Sequence, residues 1–169
     1  PRHANFCYRN GKLHVRDEGS ANGVFLQIRW PQGLTSGDLV LIGEQLLRVE
    51  APAADAGPLQ DDEGTFFYGS PKRACTLQVT QLLRGGQPGL SLRTRSSTIT
   101  IGREGNDINF PDDPFISGRH GEISLRGDEI TLSDLGSKNG TFYRAREETP
   151  LSHGDYVFIG QQLLRIEVV

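Results

Sequence analysis

The sequence predicts an all-β chain folded as a β-sandwich, and three observations carry that expectation. Glycine supplies 21 of 169 residues, roughly 12% against a usual share near 7%, which suits a chain of many tight turns. Runs of β-forming residues recur at the roughly 8- to 12-residue spacing of sandwich strands, separated by turn residues. No window carries the apolar stripe of an amphipathic helix.

The elements follow in chain order. Leu39 to Ile42 and Leu46 to Val49 flank Gly43-Glu44, which reads as a hairpin. Thr76 to Leu83 is a β-former run ending at the turn Arg84-Gly85-Gly86. Thr98-Ile99-Thr100-Ile101 and Glu129-Ile130-Thr131-Leu132 alternate with period two, the pattern of half-buried strands. Tyr156 to Ile159 and Leu163 to Val169 flank Gly160-Gln161, a second hairpin.

The two hairpins are alike because the chain is duplicated. Laid without a gap at an offset of 117, Arg2–Glu50 and Arg119–Glu167 agree at 21 of 49 positions. The copies differ in completeness. The second is preceded by a β-patterned stretch from Thr76 to Ser117, whereas the first begins where such a stretch would have ended. The expected division is therefore a truncated copy at 1–50, a linker at 51–75, and a complete copy at 76–169. The linker holds Ala-Pro-Ala-Ala-Asp-Ala-Gly-Pro and Asp-Asp-Glu-Gly, a composition that opposes regular structure. Its end, Thr65-Phe66-Phe67-Tyr68, is aromatic and is expected to dock, for example as an added strand. The chain has no Met and opens on Pro1, so it is expected to be a piece of something longer.

Composition excludes several classes. The apolar share of 36% becomes roughly 46% once the 4 Tyr are dropped and the 21 Gly added, inside the usual band of globular chains. The longest run free of Asp, Glu, Lys and Arg is ten residues, too short for a membrane helix of about 17 or more. A net charge of −3 argues against general nucleic-acid binding. Cys7 and Cys75 fit two free thiols in a cytoplasmic protein better than a disulfide framework. Four scattered His give no metal-ligand spacing, and no cofactor is expected.

Three loop clusters remain. Gly102-Arg103 follows the Ile99/Ile101 strand, Ser117-Gly118-Arg119-His120 precedes the next, and Asp134-Leu135-Gly136-Ser137-Lys138-Asn139-Gly140-Thr141 lies between two later strands. Gly-Arg, then Ser-x-x-His, then Ser-x-Asn-Gly-Thr, with Gly154-Asp155 beyond, resembles the forkhead-associated (FHA) domain. The resemblance covers 76–169 as a whole domain and 2–50 as the C-terminal half of a second. It implies an eleven-stranded sandwich whose loops at one end bind phosphothreonine peptides.

The resemblance implies a role for each residue, and chemistry supports the assignment. Phosphothreonine is close to a dianion at neutral pH with three strong acceptor oxygens. Arg103 would meet it with a planar, permanently charged fork, and Ser117 would donate its hydroxyl. Gly118 offers backbone alone where some relatives have a reaching side chain. Lys138 and Arg119 are candidates for the rim, and Asn139 would bond the peptide backbone. Gly102, His120, Gly140 and Thr141 would support the loops, His120 by hydrogen-bonding the Ser117 loop. Simpler readings exist for each: an exposed turn arginine, a solvated lysine, an αL asparagine before glycine.

A hydrolase triad of Ser117, His120 and Asp134 is rejected, since no Gly-x-Ser-x-Gly elbow surrounds Ser117 and Asp134 reads as a turn cap. Gly102-Arg-Glu-Gly105 is too short for a phosphate loop. The chain is thus expected to be a non-enzymatic phosphothreonine reader, linked to a Ser/Thr kinase. The rival is an assembly module that ignores phosphate. The truncated copy keeps His3, Ser20, Asn22 and Gly23 but has Ala21 for Lys138 and Val24 for Thr141, and is expected not to bind phosphopeptide. Half a sandwich leaves open edges. Another chain, the linker aromatics or copy two must complete it, and a homodimer by strand exchange is one expected route.

Overall fold

The computed structural model describes residues 3–52 and 75–168. The aromatic segment 65–68 and most of the expected linker lie outside them. Among the described residues there is no α-helix. The strands, in order, are β1 (Ala4–Arg9), β2 (Lys12–Asp17), β3 (Val24–Gln27), β4 (Gln32–Leu34), β5 (Asp38–Ile42), β6 (Gln45–Glu50), β7 (Leu77–Leu82), β8 (Pro88–Thr94), β9 (Thr98–Gly102), β10 (Ile108–Asn109), β11 (Gly121–Arg126), β12 (Glu129–Asp134), β13 (Thr141–Arg144), β14 (Thr149–Leu151), β15 (Tyr156–Ile159) and β16 (Gln162–Arg165). A single 3₁₀ turn, Arg84–Gly86, joins β7 to β8.

The strands form three sheets, with neighbour orders β1-β2-β14, β10-β9-β11-β12-β4, and β16-β15-β3-β13-β5-β6-β7-β8. The sheets mix the copies. In the five-stranded sheet, β4 of copy one pairs with β12 of copy two, Ile130 opposite Leu34. In the three-stranded sheet, β14 of copy two pairs with β2 of copy one, Leu151 opposite Leu13. The same trade runs through the long sheet. There β13 pairs with β5, Phe142 opposite Leu41, while β3 pairs with β15, Phe25 opposite Phe158.

The pairing of β3 with β13 explains this symmetry. Leu26 lies opposite Tyr143, its own counterpart at the repeat offset, and Phe25–Arg144 mirrors Gln27–Phe142. Two equivalent strands paired antiparallel about equivalent residues lie on a local two-fold axis. Each copy therefore sends its strands after that point into the other's sandwich. The crossings are the short connections 28–31 and 145–148, and short hinges favour exchange over folding back. Arg29 pairs with Asp155 at 2.8 Å, and its counterpart Arg146 pairs with Asp38, so each hinge arginine is tied to the opposite copy.

The boundary drawn between 1–50 and 76–169 is thus a boundary of the repeat in sequence and not a division in space. One complete sandwich combines β7–β13 with β4, β5 and β6. A half sandwich combines β1, β2 and β3 with β14, β15 and β16. Copy two lends its last strands to the partial copy, which lends its own last strands in return, and the unit so formed keeps β1 and β16 as edges among the described strands. A large core of Val40, Ile42, Leu47, Val49, Leu77, Ile99, Ile101, Ile123 and Leu132 fills the complete sandwich. A smaller core of Val15, Val24, Leu26, Leu151, Val157 and Ile166 fills the half sandwich.

Candidate functional site

The three motif loops meet at one end of the complete sandwich. β9 ends at Gly102, and the Arg103 N–H donates to the Ser117 and Gly118 carbonyls at 3.0 and 3.2 Å. The Arg103 guanidinium donates to the Ile116 carbonyl at 2.7 Å. Five guanidinium N–H groups leave donors to spare for an anion. Only glycine fits at 102, because a Cβ there would sit 2.1 Å from the Gly118 carbonyl oxygen.

His120 is fully buried immediately before β11. The Ser117 N–H donates to its Nδ1 at 3.1 Å. Nε2 then carries the hydrogen and donates to the Gly140 carbonyl at 3.0 Å. One ring thereby ties the second loop to the third. Two further bonds draw those loops together: the Lys138 N–H donates to Ser117 Oγ at 3.1 Å, and Asn139 Nδ2 donates to the Phe115 carbonyl at 2.8 Å. A hydroxyl that accepts keeps its own hydrogen to give, so Ser117 remains a donor.

Asp134 organises the third loop from below. It accepts from the Gly136 N–H at 2.9 Å, the Ser137 N–H at 2.8 Å, the Ser137 hydroxyl at 2.6 Å and the Thr141 hydroxyl at 2.7 Å. Burial pushes its carboxyl up, but the Ser137 and Thr141 hydroxyls and the two N–H groups outweigh that and hold it below the ordinary carboxylate value. A carboxylate engaged in four hydrogen bonds is a cap and not a base.

Arg103, Gly118, Arg119, Lys138 and Asn139 are exposed, with Ser117 half-buried among them. Gly102, His120, Gly140 and Thr141 are buried beneath. The loops that carry these exposed residues are thus held side by side above a buried base by the bonds of Arg103, Ser117, Lys138 N–H, Asn139 and His120. Among the described residues, no group of His, Cys, Asp and Glu is placed to hold a metal. No helix of the described residues is long and apolar enough to cross a membrane.

Two residues escaped the sequence reading. Asn106 Nδ2 donates to the Glu104 and Gly118 carbonyls at 2.8 and 2.7 Å, clamping the first loop to the second. Its only sequence signal is an Asn in a glycine-rich turn. Asp113 is buried, with Oδ1 accepting from the Phe115 N–H at 2.9 Å. Its Oδ2 accepts from the Glu44 N–H at 2.9 Å and Gln45 Nε2 at 2.7 Å. Glu44 and Gln45 belong to copy one, so the hairpin turn of one copy buttresses the binding loop of the other. At Gly43 a Cβ would sit 2.5 Å from Ile116 Cγ1, which explains the glycine at that turn.

The FHA domain family model matches residues 99–160, the span that carries all three loops. The chain is 30% identical over 109 residues to an oxoglutarate dehydrogenase inhibitor of Corynebacterium jeikeium, covering 63% of this chain and 74% of that one. The chain belongs to the FHA domain family. The glycogen accumulation regulator GarA of Mycolicibacterium smegmatis is 34% identical over 118 residues, covering 69% of this chain and 71% of its own. The FHA domain-containing protein FhaB of Mycobacterium tuberculosis is 30% identical over 79 residues, covering 47% and 50%. The sequence repeat at Ala4–Asp17 and Val24–Gln27 keeps two of the same local bonds. There His3 Nε2 bonds the Gly23 carbonyl at 3.1 Å and Asp17 caps the Ser20 N–H at 3.0 Å, as His120 and Asp134 do in the complete FHA sandwich.

Proposed function

We propose that this chain is a non-enzymatic module that binds phosphothreonine in a partner protein and so joins that partner to a regulated process. The observation that carries the reading is the convergence of Arg103, Ser117, Lys138 and Asn139 on one rim, held by His120 and Asn106. The names of the similar proteins, an inhibitor of a dehydrogenase and a regulator of glycogen accumulation, agree with a regulatory part. A phosphothreonine ligand requires a Ser/Thr kinase upstream, and two free thiols suit the cytoplasm.

In this role Arg103 turns from the Ile116 carbonyl to a bidentate pair with two phosphate oxygens. Ser117 donates its hydroxyl to a third, Lys138 and Arg119 add charge, and Asn139 bonds the peptide backbone. Buried His120 and Asp134 hold the loops in place before ligand arrives, which lowers the ordering cost of binding. The test is binding to a degenerate phosphothreonine peptide library beside unphosphorylated and phosphoserine libraries. Arg103→Ala should weaken phosphothreonine binding about ten- to a hundredfold, the loss of a charged hydrogen-bond pair. An unchanged affinity would remove Arg103 from the site.

A second reading rests on the half sandwich, whose strands β1 and β16 leave Phe6, Tyr8, Leu163 and Leu164 exposed. The exchange seen within one chain can equally close between two, giving a homodimer. A concentration-independent monomer on size exclusion would overturn that route.

A further inference from the structure

The strand exchange leaves a groove beside each of its two hinges, and the two grooves differ in charge. The one at the 28–31 hinge has a volume of about 350 Å³, and its charged side chains, Arg29 and Asp155, cancel by pairing with each other. The one at the 145–148 hinge is larger, about 660 Å³, and gathers Arg48, Arg144 and Arg146 against Asp17 and Asp38. Three guanidiniums against two carboxylates leave it positive, on a chain whose net charge is −3. The difference lies in single positions of the repeat. Arg144 stands where the other copy has Gln27, and Arg165, the counterpart of Arg48, does not line the neutral groove.

Buried Val40, Leu47 and Val49 point into the core, so Leu39 and Arg48, opposite each other on β5 and β6, face outward. Arg144 meets Asp17 at 3.5 Å and Arg48 meets Glu50 at 3.5 Å, both beyond the roughly 2.7–2.9 Å of a tight charged hydrogen bond. Arg48 Nε is itself buried and makes no hydrogen bond. Arg146, by contrast, is held closely by Asp38. A guanidinium carries five N–H donors, so Arg48 and Arg144 keep donors to give. We propose that this groove is a second binding site, separate from the phosphothreonine rim, for an acidic segment of a partner protein. Charge complementarity selects the occupant, since arginine clusters read acidic motifs. A compact dianion would crowd Asp17 and Asp38, whereas carboxylates spaced along an extended segment meet one loosely held arginine each. Arg48 comes from copy one and Arg144 and Arg146 from copy two, so the exchange assembles the site. It lies away from the rim: Thr141, bonded to Asp134 beneath the third loop, begins β13, and Arg144 ends it.

The test is binding of an unphosphorylated peptide of alternating Asp and Glu residues, beside its Asn/Gln counterpart and a phosphothreonine peptide, to the whole chain at low and high salt. The acidic peptide should bind at low ionic strength, weaken as salt rises, and leave the phosphothreonine peptide bound when both are present. The Asn/Gln peptide should not bind. Arg144→Gln, which installs the residue the repeat carries at position 27, and Arg48→Gln should each weaken the acidic peptide about two- to fivefold, and together about tenfold or more. Neither should change phosphothreonine affinity, and thermal melts check that both variants fold. Arg165→Gln, outside the groove, should leave the acidic peptide unaffected. No binding at low salt, or binding that survives the double variant, or an equal loss in Arg165→Gln, overturns the site. Acidic-peptide binding lost in Arg103→Ala would move that ligand to the rim and overturn the second site, with the phosphothreonine reading still standing. Intact acidic-peptide binding in a chain that ignores phosphothreonine would overturn the phosphothreonine reading alone.

Discussion

β6 and β16 are the same strand in two settings, Gln-Leu-Leu-Arg in both. β6 lies between β5 and β7, and Leu47 is 0% exposed. β16 pairs with β15 and has no outer neighbour among the described residues, and its counterpart Leu164 is 39% exposed. The opposite sheet repeats the contrast. β11 sits between β9 and β12 with Ile123 at 0%, whereas β1 pairs with β2 alone among the described strands and leaves Phe6 at 38%. Apolar character does not separate these positions, Leu against Leu and Ile against Phe. What separates them is the presence of a flanking strand, so burial here is a property of the neighbour and not of the residue.

Truncation is the sharpest way to break the comparison. Leu47→Ala should cost about 2–5 kcal/mol by leaving a cavity in the large core, and Leu164→Ala less than about 1 kcal/mol. Denaturant unfolding of the two variants measures both, and equal losses would mean that β16 is covered in solution. The caps make a subtler pair. Asp134 holds the buried Thr141 hydroxyl, whereas Val24 takes that place in copy one and Asp17 instead meets Arg144 at 3.5 Å. Asp134→Ala should therefore cost about 1–3 kcal/mol, and Asp17→Ala less, by thermal melts at neutral pH.

Both carboxyls respond to acid in the same direction. Burial raises Asp17 as it does Asp134, but the Ser20 hydroxyl and N–H and the Arg144 guanidinium more than offset it, so both lie below the ordinary value. A lowered folded value means the stabilisation is complete above the unfolded value of about 3.9 and is lost as pH falls through the folded one. Acid melts should show the loss setting in below about pH 4, and Asp134→Asn should flatten that dependence. The smallest expected effect is a gain. Gly118 has open space where its Cβ would lie, so Gly118→Arg should add a cation to the rim and tighten phosphopeptide binding about two- to fivefold. An unchanged affinity would show that position 118 faces away from the phosphate.

Much of this was legible in the chain. The hairpins at Gly43-Glu44 and Gly160-Gln161, the alternation of β9 and β12, and the turn at Arg84–Gly86 are local matters, written in residues that touch one another. The three loop motifs marked the candidate site for the same reason, since His120 bonds the Ser117 three residues before it. Asn106 and Asp113 were not legible, because their partners Gly118 and Gln45 lie 12 and 68 residues away and nothing in the local pattern names them.

The sequence by itself determined the two hairpins, the alternating strands β9 and β12, the repeat and the family, and it named the candidate residues of the rim. Tertiary structure alone decided which copy's strand fills which slot. With 21 of 49 positions shared, strands of either copy present nearly the same alternation and the same edge to a waiting neighbour. Local preference cannot choose between equivalent partners. The choice falls to the β3–β13 pairing and the short hinges beside it, a property of the whole chain closed on itself.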